Sequence, residues 1–248
     1  MTDKTTFDEI LYGKLRLFQP VNGPRVNVDT ILLSAFAKVK KGEKAIELGS
    51  AHGAVSLLLA LRFPGAVCIE GLEIQESLWT MGVENIRENH LEHKVRFTLG
   101  DLKKVSDIYE PQSFDVLVTN PPYFTEHGGR RSHSSISAVA NHGLSCSLKD
   151  VVRASSYLLR NKGRLYLIFN ADRIDELMSV LISGKLMVKR IRPVYPRPGR
   201  KASVVLVHAS KNAGAGMMFD KPLIICDENG LYSADLEKAY ELDDSPCL

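Results

Sequence analysis

The sequence predicts an α/β fold built on a doubly wound, mostly parallel sheet whose last two strands are antiparallel. Three observations carry this. Short apolar runs alternate with amphipathic segments of ten or more residues from Lys44 onward. Glycines and acids recur where those runs end. Near the C-terminus two apolar runs, Leu186–Tyr195 and Ala202–Ala209, follow each other with no helical pattern between them.

The elements follow in order. Leu11–Val21, with Gly13 and Pro20, reads as a short hairpin or extended segment. Val28–Val39 has helical spacing, with Asn27 or Asp29 as its cap. Lys44–Leu48 is a buried strand, Gly53–Arg62 a helix stopped by Pro64-Gly65, Val67–Glu73 a strand and Gln75–Asn89 a helix. Strands are expected at Val95–Leu99, Phe114–Thr119 and Arg164–Phe169. Leu148–Leu159, ended by Asn161-Lys162-Gly163, and Ala171–Ile182 are helices. Residues 1–42 are expected to extend a main domain of residues 43–248, the whole folding as one unit.

Composition excludes other classes. Apolar residues at 44% and charged residues at 25% of 248 rule out general disorder. The longest nearly unbroken apolar run, Ala54–Leu61, is far too short to span a bilayer. Met1–Ile10 has no apolar signal core, so a cytoplasmic protein is expected. The widely spaced Cys68, Cys146, Cys226 and Cys247 read as reduced structural thiols. No metal site is expected, because His127, His133 and His142 match no common ligand spacing. No obligate protein partner is evident.

Charge is unevenly placed. Residues 185–201 carry seven basic side chains, among them Arg197, Arg200 and Lys201, and no acid. Residues 127–149 also lack acids and hold Arg130 and Arg131. A polyanionic partner fits both segments; a merely solvated basic face is the alternative.

The chemistry-bearing residues fall at strand ends. Glu47-Leu48-Gly49-Ser50-Ala51-His52-Gly53 closes one strand and opens a helix, and its glycines permit a tight turn and close approach of a ligand. Glu73 ends the next strand, where ribose hydroxyls are held in nucleotide-binding folds. Asp101 and Leu102 follow the third. The most specific run is Asn120-Pro121-Pro122-Tyr123, followed by Phe124, at the end of the fourth. An Asn side chain and a carbonyl stiffened by two prolines can both accept from a planar amino group, and Tyr123 can stack on a base. Accepting both N–H bonds localises the nitrogen lone pair as a nucleophile, so neither strong base nor metal is needed. Ala51 stands in the middle of this loop, where a negative φ would accommodate its methyl group.

This set resembles the class I, Rossmann-like S-adenosylmethionine-dependent methyltransferases that act on amino groups. The Val28-Asp29-Thr30-Ile31-Leu32-Leu33 segment, Asn120–Phe124 and the C-terminal run from Pro222 to Tyr240 resemble the bacterial tRNA1(Val) adenine-37 N6-methyltransferases over nearly the whole chain. The resemblance implies S-adenosylmethionine as cofactor, held by Asp29, Glu47, Gly49, Ser50, Gly53, Glu73, Asp101, Leu102 and Asn120. It implies Asn120, Pro121, Pro122 and Tyr123 as the catalytic run. It also implies a tRNA anticodon stem-loop as partner, touched by Phe124, Arg130, Arg131, Arg197, Arg200 and Lys201. The alternatives are a release-factor glutamine-amide methyltransferase, an rRNA guanine-N2 methyltransferase, or a noncatalytic RNA-binding module with a vestigial cofactor pocket.

Overall fold

A computed structural model describes residues 5–121 and 146–242. Strands β1 (Thr5–Ile10) and β2 (Leu15–Pro20) form a separate antiparallel hairpin. Helix α1 (Val28–Phe36) leads into the main unit: β3 (Lys44–Leu48), α2 (Ala54–Arg62), β4 (Cys68–Glu73), α3 (Glu76–Glu88) and β5 (Val95–Leu99). After a 3-10 turn at Leu102–Asp107 come β6 (Phe114–Thr119), α4 (Leu148–Leu158), β7 (Leu159–Asn170) and α5 (Ile174–Ser183). The chain continues through β8 (Leu186–Tyr195), β9 (Val204–Lys211), β10 (Met218–Phe219), β11 (Leu223–Ile224) and α6 (Ala234–Tyr240).

The main sheet has the order β10-β8-β9-β7-β6-β3-β4-β5, with β11 also paired to β8. Strands β3 to β7 pair in parallel, and β9 runs antiparallel to both β7 and β8. The expected antiparallel pair is therefore present, and β10 and β11 extend it by pairing in parallel with β8. Side chains alternate between the faces, as strand geometry requires. Val116, Val118, Tyr166 and Ile168 join the core beneath α1 and α2. Leu117, Leu165, Leu167 and Phe169 join the opposite core beneath α4 and α5.

Local boundaries depart from expectation for identifiable reasons. Asn27 caps α1 by accepting from the Thr30 amide at 3.0 Å, so Asp29 is not the cap. α1 ends at Phe36, where Ala37 turns extended. Asn161-Lys162-Gly163 does not form a loop after α4. Instead β7 starts at Leu159 and carries these residues, Lys162 at φ +62°, across an irregularity in its pairing with β6. The first hairpin strand lies earlier than the Leu11–Val21 segment expected to contain a hairpin.

The hairpin is tied to α3 by two asparagines one helical turn apart. Asn85 accepts from the Phe18 amide and donates to the Phe18 and His52 carbonyls. Asn89 brackets Arg16 in the same way. The C-terminal helix α6 is held at both ends. The buried Arg62 guanidinium donates to the Ala239 and Glu241 carbonyls, and Arg192 pairs with Asp235 at 2.7 Å.

Candidate active site

Parallel register gathers the predicted residues at one edge of the sheet. Leu48 is paired with Thr119 on one side and with Leu72 on the other, so Asn120, Gly49 and Glu73 stand side by side. The Thr119 hydroxyl donates to the Leu48 carbonyl at 2.9 Å and locks the two strand ends together. Glu73 is paired with Leu99, which brings Gly100 and Asp101 next in line.

The loop after β3 is folded onto β4. The amides of Gly49 and Ser50 both donate to the Leu72 carbonyl, at 2.9 and 3.1 Å. Gly49 has φ +71° and open space where a Cβ would stand, so a ligand can approach its backbone. Gly53, at φ +93°, caps α2. Ala51 has φ +49°, contrary to the negative φ expected for it. Its amide donates to Glu73 Oε2 at 2.8 Å, and that bond holds the residue in the left-handed region.

Glu73 is buried, and its Oε1 accepts the Gln75 amide at 2.9 Å. The Gln75 side-chain amide donates to the same Oε1 at 3.3 Å, so both lone pairs of Oε1 are used, whereas Oε2, with the Ala51 amide, keeps a further one. Asp101 caps the 3-10 turn through Oδ1, accepting from the Lys103 amide, and Leu102 begins that turn. Glu47 is buried beneath the loop, where Ser56 donates to Oε2 from its amide and its hydroxyl. Burial pushes the Glu47 carboxyl up to about 8. Asp29 is half-buried and raised by desolvation, and it has no ion-pair partner among the described residues.

Sequence reasoning missed two supports, His52 and Phe97, whereas Trp79, on the helix after Glu73, reads from sequence as a core or cofactor-edge residue. His52 is buried in the loop with neither ring nitrogen bonded among the described residues, and burial lowers it to about 4. Phe97 packs its ring against Gly53, Gly71 and Gly82, where a Cβ on any of the three would overlap it. The Trp79 indole donates to the Phe97 carbonyl at 3.0 Å, making Trp79 a brace of this wedge. Three glycines in successive elements were the visible signal. Elsewhere, burial and Asp150 push the Cys146 thiol up to about 11, away from reactive thiolate.

Arg197, Arg200 and Lys201 lie exposed on the turn between β8 and β9. Because β8 points the same way as β7, that turn is at the same sheet edge as Asn120. Pro121 is buried directly after Asn120. Pro122, Tyr123, Phe124, Arg130 and Arg131 lie outside the described residues.

A sheet edge of this kind suits a nucleotide-bearing ligand, and comparison with known proteins names the chemistry. Residues 27–183, more than half of the chain, match the family model described as methyltransferase small domain. The chain belongs to the methyltransferase small domain family. Its fold is the class I, Rossmann-like methyltransferase fold. A tRNA1(Val) (adenine(37)-N6)-methyltransferase of Actinobacillus pleuropneumoniae serotype 7 is 27% identical over 222 residues, covering 88% of this chain and 91% of that relative. One from Porphyromonas gingivalis is 26% identical, covering 88% and 87%. Among solved structures, a predicted O-methyltransferase from Agrobacterium tumefaciens has a TM-score of 0.70 at 19% identity, covering 86% of this chain and 95% of that one. A geranyl diphosphate methyltransferase in complex with SAM has a TM-score of 0.53 at 14% identity, covering 73% and 82%.

Proposed function

We infer that this protein transfers the methyl group of S-adenosylmethionine to the exocyclic N6 of adenine in tRNA, at the adenine 3′ of the anticodon, position 37. The observation that carries the reading is the juxtaposition of Asn120 with the open Gly49 backbone, enforced by the Leu48–Thr119 register. The names of the relatives support the choice of nucleoside and RNA.

The residues at the edge fit the cofactor. Glu73 Oε2 has a lone pair for a ribose hydroxyl, Asp101 keeps Oδ2 for an adenine amino group, and Gly49 leaves room for the methionine end. Asp29, Glu47, Ser50, Gly53 and Leu102 shape the same pocket. When bound, S-adenosylmethionine supplies an electrophilic methyl group on a sulfonium.

Asn120 and the Pro121 carbonyl accept the two N–H bonds of the target amine. They would orient its lone pair toward the methyl group that bound S-adenosylmethionine would supply, the sulfonium serving as leaving group. The amine proton then leaves to solvent. Pro122 stiffens the run, and Tyr123 and Phe124 stack on the base once it is turned out of its loop. Arg130, Arg131, Arg197, Arg200 and Lys201 hold phosphates of the anticodon arm. With this substrate the protein works in the cytoplasm; among the described residues no helix is long and apolar enough to cross a membrane.

The test is single-turnover transfer of labelled methyl into unmodified tRNA, followed by nucleoside mass spectrometry. The parent should form N6-methyladenine. Asn120→Ala should slow transfer at saturating cofactor by about 10²–10³-fold, the cost of one well-placed electrostatic partner. Near-parental transfer by Asn120→Ala would refute the amine-activation mechanism. Methylated glutamine or guanine in place of adenine would redirect the substrate, and a parent that binds RNA without transferring methyl would be a binding module.

A further inference from the structure

The basic turn after β8 does not stand alone. The Ile225 amide donates to the Tyr195 carbonyl at 2.8 Å, and the Cys226 amide to the Pro196 carbonyl at 3.1 Å. These bonds join the β8–β9 turn to the turn between β11 and α6. That second turn is rigid, because Asp227 Oδ1 accepts the Asn229 and Leu231 amides, both at 2.9 Å. Arg197 leans over it: one guanidinium nitrogen lies 3.7 Å from where a Gly230 Cβ would stand. Leu231 and Tyr232 leave the turn 67% and 53% exposed. One face of the Tyr232 ring is backed by Tyr240, with centroids 6.3 Å apart and planes 13° apart.

Charge and shape agree on an occupant. Arg190 and Arg192 are neutralised by Asp220 and Asp235, whereas Arg197, Arg200 and Lys201 form no ion pair among the described residues. Asp227 is occupied by backbone amides, so Glu228 is the one exposed carboxylate of the two turns. Uncompensated cations beside an exposed, pre-stacked aromatic ring match a single nucleic acid strand, with phosphates on the cations and a base on the ring. In the sheet order β8 is three strands from β6, so the basic turn lies about 14 Å from Asn120 at ~4.8 Å per strand. A strand entering the active site crosses that distance in a few nucleotides.

We propose that these two turns form one RNA-docking rim, in which Arg197, Arg200 and Lys201 hold the backbone and Tyr232 stacks on an unpaired base flanking the methylated one. This deepens the proposed function and rests on it for the identity of the RNA. The stack on Tyr240 fixes the ring before RNA arrives, so little side-chain freedom is lost on binding.

The experiment compares the parent with Tyr232→Ala, Tyr232→Phe and the double charge reversal Arg197→Glu/Arg200→Glu. Each is assayed for methyl transfer to unmodified tRNA, filter binding of that tRNA over a range of salt, cofactor affinity and unfolding midpoint. Tyr232→Ala should raise the KM for tRNA about tenfold with kcat and cofactor affinity unchanged, and Tyr232→Phe should restore the parental KM. The charge reversal should lower the slope of log K against log salt by about 2. Parental KM in Tyr232→Ala, or a parental salt slope in the charge reversal, overturns the rim. If Tyr232→Ala unfolds, Tyr232→Phe and the charge reversal decide the matter alone: loss of binding in the first with the stack kept, or no change in the second, overturns the rim. If the parent methylates no tRNA, the proposed function fails, and filter binding of the same RNA still decides the rim.

Discussion

Ala51 sits at φ +49° in the loop between β3 and α2. A Cβ in the left-handed region costs about 1–2 kcal/mol, and glycine returns part of that through its larger unfolded-state entropy. Ala51→Gly should therefore raise stability by about 1 kcal/mol, read as a higher urea midpoint at unchanged slope; an unchanged or lower midpoint refutes the strain. Glu47 gives a pH signature. Burial pushes its folded-state carboxyl to about 8, above the unfolded value of 4.5. A raised value means that the folded protein holds a proton the unfolded chain releases. The contribution of Glu47 to stability is thus full below about pH 4.5 and is lost as pH rises through about 8. Glu47→Gln, neutral at every pH and still able to accept from Ser56, should gain on the parent progressively between pH 5 and 9 in urea titrations. A constant difference across that window would show Glu47 to be an ordinary exposed-like acid. At this scale the sequence was informative about identity and silent about environment. Glu47, Glu73 and Asn120 were legible because each ends an apolar run. The φ of Ala51 was not, since it is set by a bond to a carboxylate on the next strand, and neither was the burial of His52.

At the scale of elements, the Phe97 ring from β5 fills the space that Gly53, Gly71 and Gly82 leave open on α2, β4 and α3. Gly82→Ala forces an added methyl into that ring and should cost about 1–3 kcal/mol. Removing the ring should relieve the clash, so Gly82→Ala combined with Phe97→Ala should cost less than the sum of the two single changes. A double-mutant cycle by chemical unfolding measures this, and additive costs would separate the two residues. A glycine inside an amphipathic run reads as a weak spot in a helix; its partner is a ring from another strand, which no local pattern reveals. Strand and helix types from β3 to β9 were legible from periodicity and from Pro-Gly stops. Boundaries failed where a residue took an uncommon conformation, as at Lys162, whose positive φ was absorbed by β7 rather than by a loop.

For the whole molecule, alternation of strands and helices was enough to predict the sheet, because parallel strands covered on both faces leave few other arrangements. The far edge was less legible. β10 and β11 are two residues each and show no periodicity, and they are placed by pairing with β8. The same edge divides the basic segment into structural and free charges, a division that a count of basic residues conceals. Arg192, buried against Asp235, should act on folding alone. Arg192→Ala should lower stability by about 1–3 kcal/mol, since Asp235 is partly exposed and is left only partly uncompensated. It should leave the salt dependence of RNA binding at the parental slope. A changed slope with unchanged stability would move Arg192 from the fold to the binding face.

The bond from Arg62 to the Ala239 carbonyl joins residues 177 positions apart. On a ribosome adding roughly 5–20 residues per second, Arg62 is made some 9–35 s before its acceptor exists. Throughout that interval the Arg62 guanidinium, already bonded to Ser34, lacks the Ala239 and Glu241 carbonyls, and the side of α1 that packs on α6 has no cover. The cofactor half of the protein is thus synthesised first and closed last, and a nascent chain that stops short of α6 keeps that surface open to chaperones and proteases. The order of synthesis, through one arginine, makes the last turn of helix the seal on the first half of the molecule.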